Sequence, residues 1–202
     1  MNARAPEGRN PSELSPADTW VDRHGDYLFR YALMRLRDRE LAENLVQETF
    51  LAALKGRGSF GGRSSERTWM VGILKHKIID HYRKDFRERP VTDLKTMQFD
   101  EEQTVDQFYD AIGNPRKYPR DWMPDPQAAL HSKEFWAVLH DCMAKLPKAT
   151  AAAFALRELD AMGTASICKE LGISATNLWV MLHRARLQLR ACLETNWFGV
   201  NK

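Results

Sequence analysis

The sequence predicts an all-α protein of two small helical domains. Apolar residues recur at three- and four-residue spacing over most of the chain, alternating apolar and polar runs with hairpin dipeptides are missing, and an acidic, proline-rich stretch separates two helical blocks. The chain has 202 residues, 44% apolar and 28% charged, close to globular averages and enough for two cores of ordinary size. Net charge is only +3, so any anionic partner must be met by clustered cations rather than by the overall balance.

Residues 1–16 contain Pro6, Pro11 and Pro16 and few apolar side chains, and are expected to form a disordered tail. Residues 17–89 form the first domain. Its opening helix carries Trp20, His24, Tyr27, Leu28 and Tyr31 as one apolar stripe. Asp38 then suits the N-cap of a second helix, in which Ala42, Leu45, Val46, Thr49 and Ala53 share a face. Gly56, Gly58, Gly61 and Gly62 interrupt the pattern and make residues 55–65 a loop. A long helix follows from Ser64 or Ser65, burying Met70, Ile73, Leu74, Ile78 and Tyr82 and leaving His76, Lys77, Asp80, Arg83 and Lys84 on the far side; Pro90 ends the block.

Residues 90–127 read as a flexible linker, acidic through Asp93, Asp100, Glu101, Glu102, Asp106 and Asp110 and then rich in proline at 115, 119, 124 and 126. Residues 128–202 form the second domain. Phe135, Val138, Leu139, Cys142 and Leu146 line its first helix, which Pro147 stops. Helices over 149–162 and 164–171, a turn at Gly172 and a helix from Ser174 towards Trp197 complete it.

Three cysteines, Cys142, Cys168 and Cys192, are an odd number without a C-x-x-C pair, which points away from a disulfide framework or zinc ribbon and towards a reducing cytoplasm. No apolar run suits a secretory signal or a membrane span. Catalytic signatures are equally missing: there is no G-x-S-x-G, H-E-x-x-H or phosphate loop, and nothing calls for a cofactor or metal.

The chemistry-bearing pattern is cationic. Residues 55–89 hold ten Lys or Arg against four acids, and no acid occurs from Ile173 to Ala191. Residues 164–190 also have the layout of a helix-turn-helix, with Ile167, Leu171, Leu178 and Leu182 inward and a glycine at the turn. Its second helix offers Ala175, Thr176, Asn177, Trp179, Val180 and His183 to base edges or sugar, and Arg184, Arg186 and Arg190 to phosphate.

Four segments in order, RDRELAENLVQETFLAAL (37–54), GSFGGRSSERTWMVGILKHKIIDHYRK (58–84), LPKATAAAFALREL (146–159) and ICKELGISATNLWVMLHRAR (167–186), resemble the extracytoplasmic-function group of bacterial sigma factors in the sigma-70 family. The resemblance implies a non-catalytic initiation subunit that binds core RNA polymerase and promoter DNA, with an anti-sigma factor as regulator. It assigns Glu43, Asn44, Gln47, Glu48 and Leu51 to the polymerase clamp. It places Phe60, Gly61, Arg63, Ser64, His76, Lys77, Asp80 and Arg83 at the −10 element, where Gly61, Gly62 and Ser64 would bring backbone close to an extruded base. It places Ser174, Thr176, Asn177, Trp179, His183, Arg184 and Arg186 at the −35 element.

The chain departs from the family at Trp179, Val180 and Met181, where polar or basic residues are usual, in its longer linker, and in the apolar tip Cys192–Phe198. That tip is expected to close the second core or to meet a regulator. The competing function is a helix-turn-helix regulator that acts on duplex DNA without polymerase; it leaves the glycine-rich basic loop and the clamp-like helix unexplained.

Overall fold

The computed structural model describes residues 14–88 and 133–197, and every regular element among them is helical. The expected linker over 90–127 and most of the expected tail lie outside the described residues. The chain divides into two compact units, Met1–His81 and Tyr82–Lys202.

In the first unit a 3-10 turn, Ala17–Thr19, leads into helix α1, Trp20–Leu36. Its buried residues are Trp20, His24, Leu28, Ala32 and Arg35, a stripe advancing mainly in steps of four. Tyr27 departs from expectation: it is exposed, off this stripe, with the Arg67 guanidinium 5.0 Å from its ring centre. A phenol ring tolerates that position because its hydroxyl stays wet and its face attracts a cation. Arg35 takes a core position by folding over the Tyr31 ring and donating to the Tyr31 carbonyl at 3.0 Å.

Helix α2, Arg39–Lys55, starts where the Asp38 carboxylate accepts the Leu41 N–H at 3.0 Å. It buries the five residues its spacing predicts, Ala42, Leu45, Val46, Thr49 and Ala53. The buried Thr49 hydroxyl donates to the Leu45 carbonyl at 2.7 Å, so the core gains no unsatisfied donor. The glycine loop contains one 3-10 turn, Arg57–Ser59, and a left-handed Gly62 at φ 64°. Helix α3, Glu66–Glu88, follows, this unit taking it as far as His81; Ile73, expected in its buried stripe, is half-buried, and Met70, Leu74 and Ile78 are buried. Each such side chain contributes about 1.5–3 kcal/mol of burial.

The second unit contains α4, Lys133–Ala144; α5, Lys148–Phe154; α6, Thr164–Leu171; and α7, Ala175–Asn196. The single helix expected over 149–162 is instead α5 followed by a π-helical turn, Ala155–Leu159. There the Asp160 N–H reaches back to the Ala155 carbonyl at 3.1 Å, Ala161 takes a positive φ, and Arg157 donates to the Met162 carbonyl at 3.1 Å, which ends the helix before Gly163. The core gathers Phe135, Met143, Leu156, Ile167, Leu178, Met181 and Leu189.

The cysteine expectation is overturned. Cys142 on the last turn of α4 and Cys192 on the last turn of α7 are disulfide-bonded, with Cα atoms 5.7 Å apart, and only Cys168 is free. Counting cysteines failed because the pair lies 50 residues apart and is brought together only by the packing of α7 on α4. The apolar tip closes the same seam, with the Trp197 ring edge-on to Phe135 at 5.5 Å.

Candidate nucleic-acid interface

In the second unit, helix α6 ends at Gly172, whose φ of 66° lets its N–H cap the Cys168 carbonyl. A side chain there would be strained, so glycine is what turns the chain sharply between the two helices. Ser174 opens α7 by accepting the Asn177 N–H at 3.2 Å. Ile167, Leu171, Leu178 and Leu182 are buried as the helix-turn-helix pattern requires.

This anchoring leaves one face of α7's first half to solvent. Ser174, Thr176 and His183 are exposed and Asn177 is half-buried. Trp179 is 65% exposed, an unusual fraction for so large an apolar side chain, and its ring stacks on His183 at 5.4 Å and 5°. The two rings make a planar step beside the helix start. Of the apolar run 179–181, Met181 is wholly buried and Val180 half-buried, so only Trp179 is a large departure on the exposed face.

Arg184 is half-buried, and Arg186 is exposed and pairs with Glu158 at 2.7 Å. Such an exposed pair is worth about 0–1 kcal/mol, so a phosphate can displace the carboxylate at little cost. Arg190 pairs with Glu194 at 3.0 Å, further from the helix start.

In the first unit, Glu43, Asn44, Gln47, Glu48 and Leu51 all lie exposed on α2, and Leu51 is 59% accessible. Of these, Glu43 and Gln47 line a groove of about 580 Å³ between α1 and α2 that also includes Val21, Phe29, Val46 and Phe50. An apolar floor with a polar rim suits docking against another helix. Glu43 is held by Arg39 at 2.9 Å. Glu48 accepts from Lys77 Nζ at 2.8 Å, which joins the expected polymerase face on α2 to the expected −10 face on α3.

His76 and Asp80 are both exposed, one turn apart on α3, and Arg83 follows one turn later, past the division between the units. In the loop, Gly61 and Arg63 are exposed and Ser64 is half-buried. Phe60 is also half-buried, its ring 5.2 Å from Trp69, which in turn meets Trp20 edge-on at 6.5 Å. Trp69 is thus a half-buried brace under the loop.

Sequence reasoning missed Glu66, the first residue of α3. Its carboxylate accepts the Ser15 N–H at 2.6 Å, the Ser15 hydroxyl at 2.9 Å and Trp20 Nε1 at 3.1 Å, and also bonds His24 Nε2. Burial by itself would raise the Glu66 pKa, but the hydrogen bonds from His24 and Ser15 outweigh it and hold it below the ordinary glutamate value. The hub fixes the start of α3, and so the loop before it, against α1. The signal was a lone acid at a helix start beside a buried histidine in the apolar stripe.

Comparison with known proteins shows the family to which the two helical regions belong. The family profile for sigma-70 region 2 matches residues 20–88, and that for sigma-70 region 4 matches residues 136–189. A probable RNA polymerase sigma factor of Haemophilus influenzae is 34% identical over 169 residues, covering 83% of this chain and 84% of the relative. RNA polymerase sigma factor YlaC of Bacillus subtilis is 31% identical over 165 residues, 82% of each chain. The ECF RNA polymerase sigma factor SigX of the same organism is 27% identical over 177 residues, 86% of this chain and 81% of the relative.

Proposed function

The chain belongs to the extracytoplasmic-function group of the sigma-70 family, and from that premise we propose how its residues direct promoter-specific initiation. The observation that carries the reading is the helix-turn-helix of the second unit. Its glycine turn and Ser174 cap set α7 with an exposed, acid-free N-terminal half. A helix so presented fits the major groove, whose base edges distinguish all four base pairs.

In this reading Ser174, Thr176, Asn177, Trp179 and His183 meet the −35 element, and Arg184 and Arg186 bind its phosphates. The Trp179–His183 step lies against sugar or a thymine methyl, replacing polar contacts that the family usually makes there. Residues 17–89 and 128–202 act as separate modules, and residues 90–127 tether them.

The α2 face of Glu43, Asn44, Gln47, Glu48 and Leu51 docks on core RNA polymerase beside the apolar groove. Gly61, Arg63, Ser64, His76, Lys77, Asp80 and Arg83 hold the −10 strand, and Phe60 supports the loop from its seat on Trp69. An extruded base costs a few kcal/mol of stacking, which backbone and small polar groups at the glycine loop offset. The protein contributes recognition and melting rather than a catalytic centre. It works in the cytoplasm, where an anti-sigma factor restrains it. No helix among the described residues is long and apolar enough to cross a membrane.

A gel shift with permanganate footprinting tests the proposal. The chain alone should give no site-specific complex on duplex promoter DNA. Added core polymerase should produce one with reactive, unpaired thymines at −10. Specific binding by the chain alone, unaltered by polymerase, would favour the plain regulator.

A further inference from the structure

The disulfide between Cys142 and Cys192 closes a covalent ring around α5, the π-helical turn, α6 and nearly all of α7. Its two sulfurs differ in setting. Cys142 is 2% exposed, whereas Cys192 is only half-buried. The bridge borders a cleft of about 550 Å³ lined by Val138, Asp141, Cys142, Ala144, Lys145 and Asn196.

Two donors in that cleft face Cys192 Sγ: Lys145 Nζ at 3.9 Å and Asn196 Nδ2 at 3.4 Å. Both are exposed donors that favour negative charge on this sulfur, which suits it to attack a small disulfide RSSR when the bridge closes and to leave the mixed disulfide in the second step of opening. Its exposure beside the buried Cys142 is what directs the first attack to it. A half-buried sulfur beside an ammonium, bonded to a buried one, has the form of an exchangeable pair rather than of an inert structural bridge.

We propose that Cys142 and Cys192 form a reversible redox latch on the second unit, opened and closed by low-molecular-weight thiols and their disulfides through Cys192 Sγ. In opening, a thiolate RS⁻ attacks Cys192 Sγ. The protein S–S bond breaks, and its electron pair leaves on Cys142 Sγ, which takes a proton from water. A second RS⁻ attacks the outer sulfur of the mixed disulfide, RSSR forms, and Cys192 keeps the electron pair. Two RSH are thus oxidised for one bridge reduced, and closing reverses both steps.

Reversibility needs the opened sulfurs to stay near each other. The Trp197–Phe135 contact and buried Met143 and Leu189 hold the α4–α7 seam without the bridge. The latch lies 18 residues from the Ser174 cap, about 27 Å along a helix at 1.5 Å per residue. It therefore acts on the persistence of the unit rather than on its proposed base contacts, and its chemistry is independent of the promoter reading.

The test uses the full chain with Cys168→Ser, equilibrated in mixtures of reduced and oxidised glutathione, trapped with iodoacetamide and read by mass spectrometry. One two-electron transition between dithiol and bridged forms is expected. With Cys142→Ser added, oxidised glutathione should attach to Cys192; with Cys192→Ser added, Cys142 should stay unmodified. Lys145→Met should slow attachment at Cys192 on the order of threefold to tenfold. Because either serine variant could unfold, limiting glutathione applied to the bridged chain and peptide mapping of the mixed disulfide give a second reading, with glutathione expected on Cys192. A chain that stays dithiol in fully oxidised glutathione, one that keeps its bridge in excess reduced glutathione, or glutathione found mainly on Cys142 would overturn the proposal.

Discussion

The first unit gathers a loop serine, two α1 side chains and the start of α3 on one carboxylate, Glu66, whereas the second ties its end helices with an aromatic edge and a sulfur–sulfur bond. Both frames present cationic, polar faces to solvent, but they respond to different variables. The polar hub answers to protons and the bridge to thiols. Two modules in one chain are thus separately adjustable, and each difference in chemistry gives a way to perturb one while the other serves as control.

The largest expected effect is on the second unit. Opening a loop of 50 residues restores chain entropy to the unfolded state worth up to about 4 kcal/mol. Denaturant unfolding followed by tryptophan fluorescence should show the transition reported by Trp136, Trp179 and Trp197 moving to lower denaturant under dithiothreitol. The transition reported by Trp20 and Trp69 should stay in place. Equal movement of both would break the comparison.

Next in size is Glu66→Gln, which removes a charged acceptor from several donors and should destabilise the first unit by about 2 kcal/mol while sparing the second. The pH dependence has a definite sign. Because the folded-state pKa of Glu66 lies below the ordinary value, the unfolded chain takes up the proton first. The hub's stabilisation is therefore complete above the ordinary glutamate range and is lost as pH falls through it towards the depressed folded value. An acid titration of the two unfolding transitions should show this loss in the first unit, and Glu66→Gln should flatten it. A variant that keeps the native acid sensitivity would remove Glu66 as its source.

The smallest effect is on binding. Replacing Arg184 or Arg186 by Ala should lower the salt dependence of holoenzyme affinity for the −35 element by about 1 for each phosphate no longer neutralised. Stability should barely change for Arg186, whose partner Glu158 is itself exposed. If the slope is unmoved, these side chains serve the fold instead.

How far the sequence could be read follows from the range of each interaction. Helix α2 was legible down to its cap and its five buried residues because both depend on neighbours within one turn. The α6–α7 turn was legible for the same reason: Gly172 and Ser174 act on adjacent backbone. Tyr27 misled because a spacing fits several stripes until a partner helix selects one. The hub at Glu66 and the Cys142–Cys192 bridge join residues 42 to 51 apart, and local pattern holds no record of such pairings. The exposed positions of the candidate interface were legible as faces, but the stacking of His183 on Trp179 and the seating of Phe60 on Trp69 required the fold.

Transcription in vitro with purified core polymerase over fragmented genomic DNA tests the central claim most directly. Added to core enzyme, this chain should yield discrete start sites that share two upstream hexamers. Gln47→Ala with Glu48→Ala should abolish most of that signal while leaving helical circular dichroism unchanged. Start sites no different from those of core enzyme alone would contradict the account.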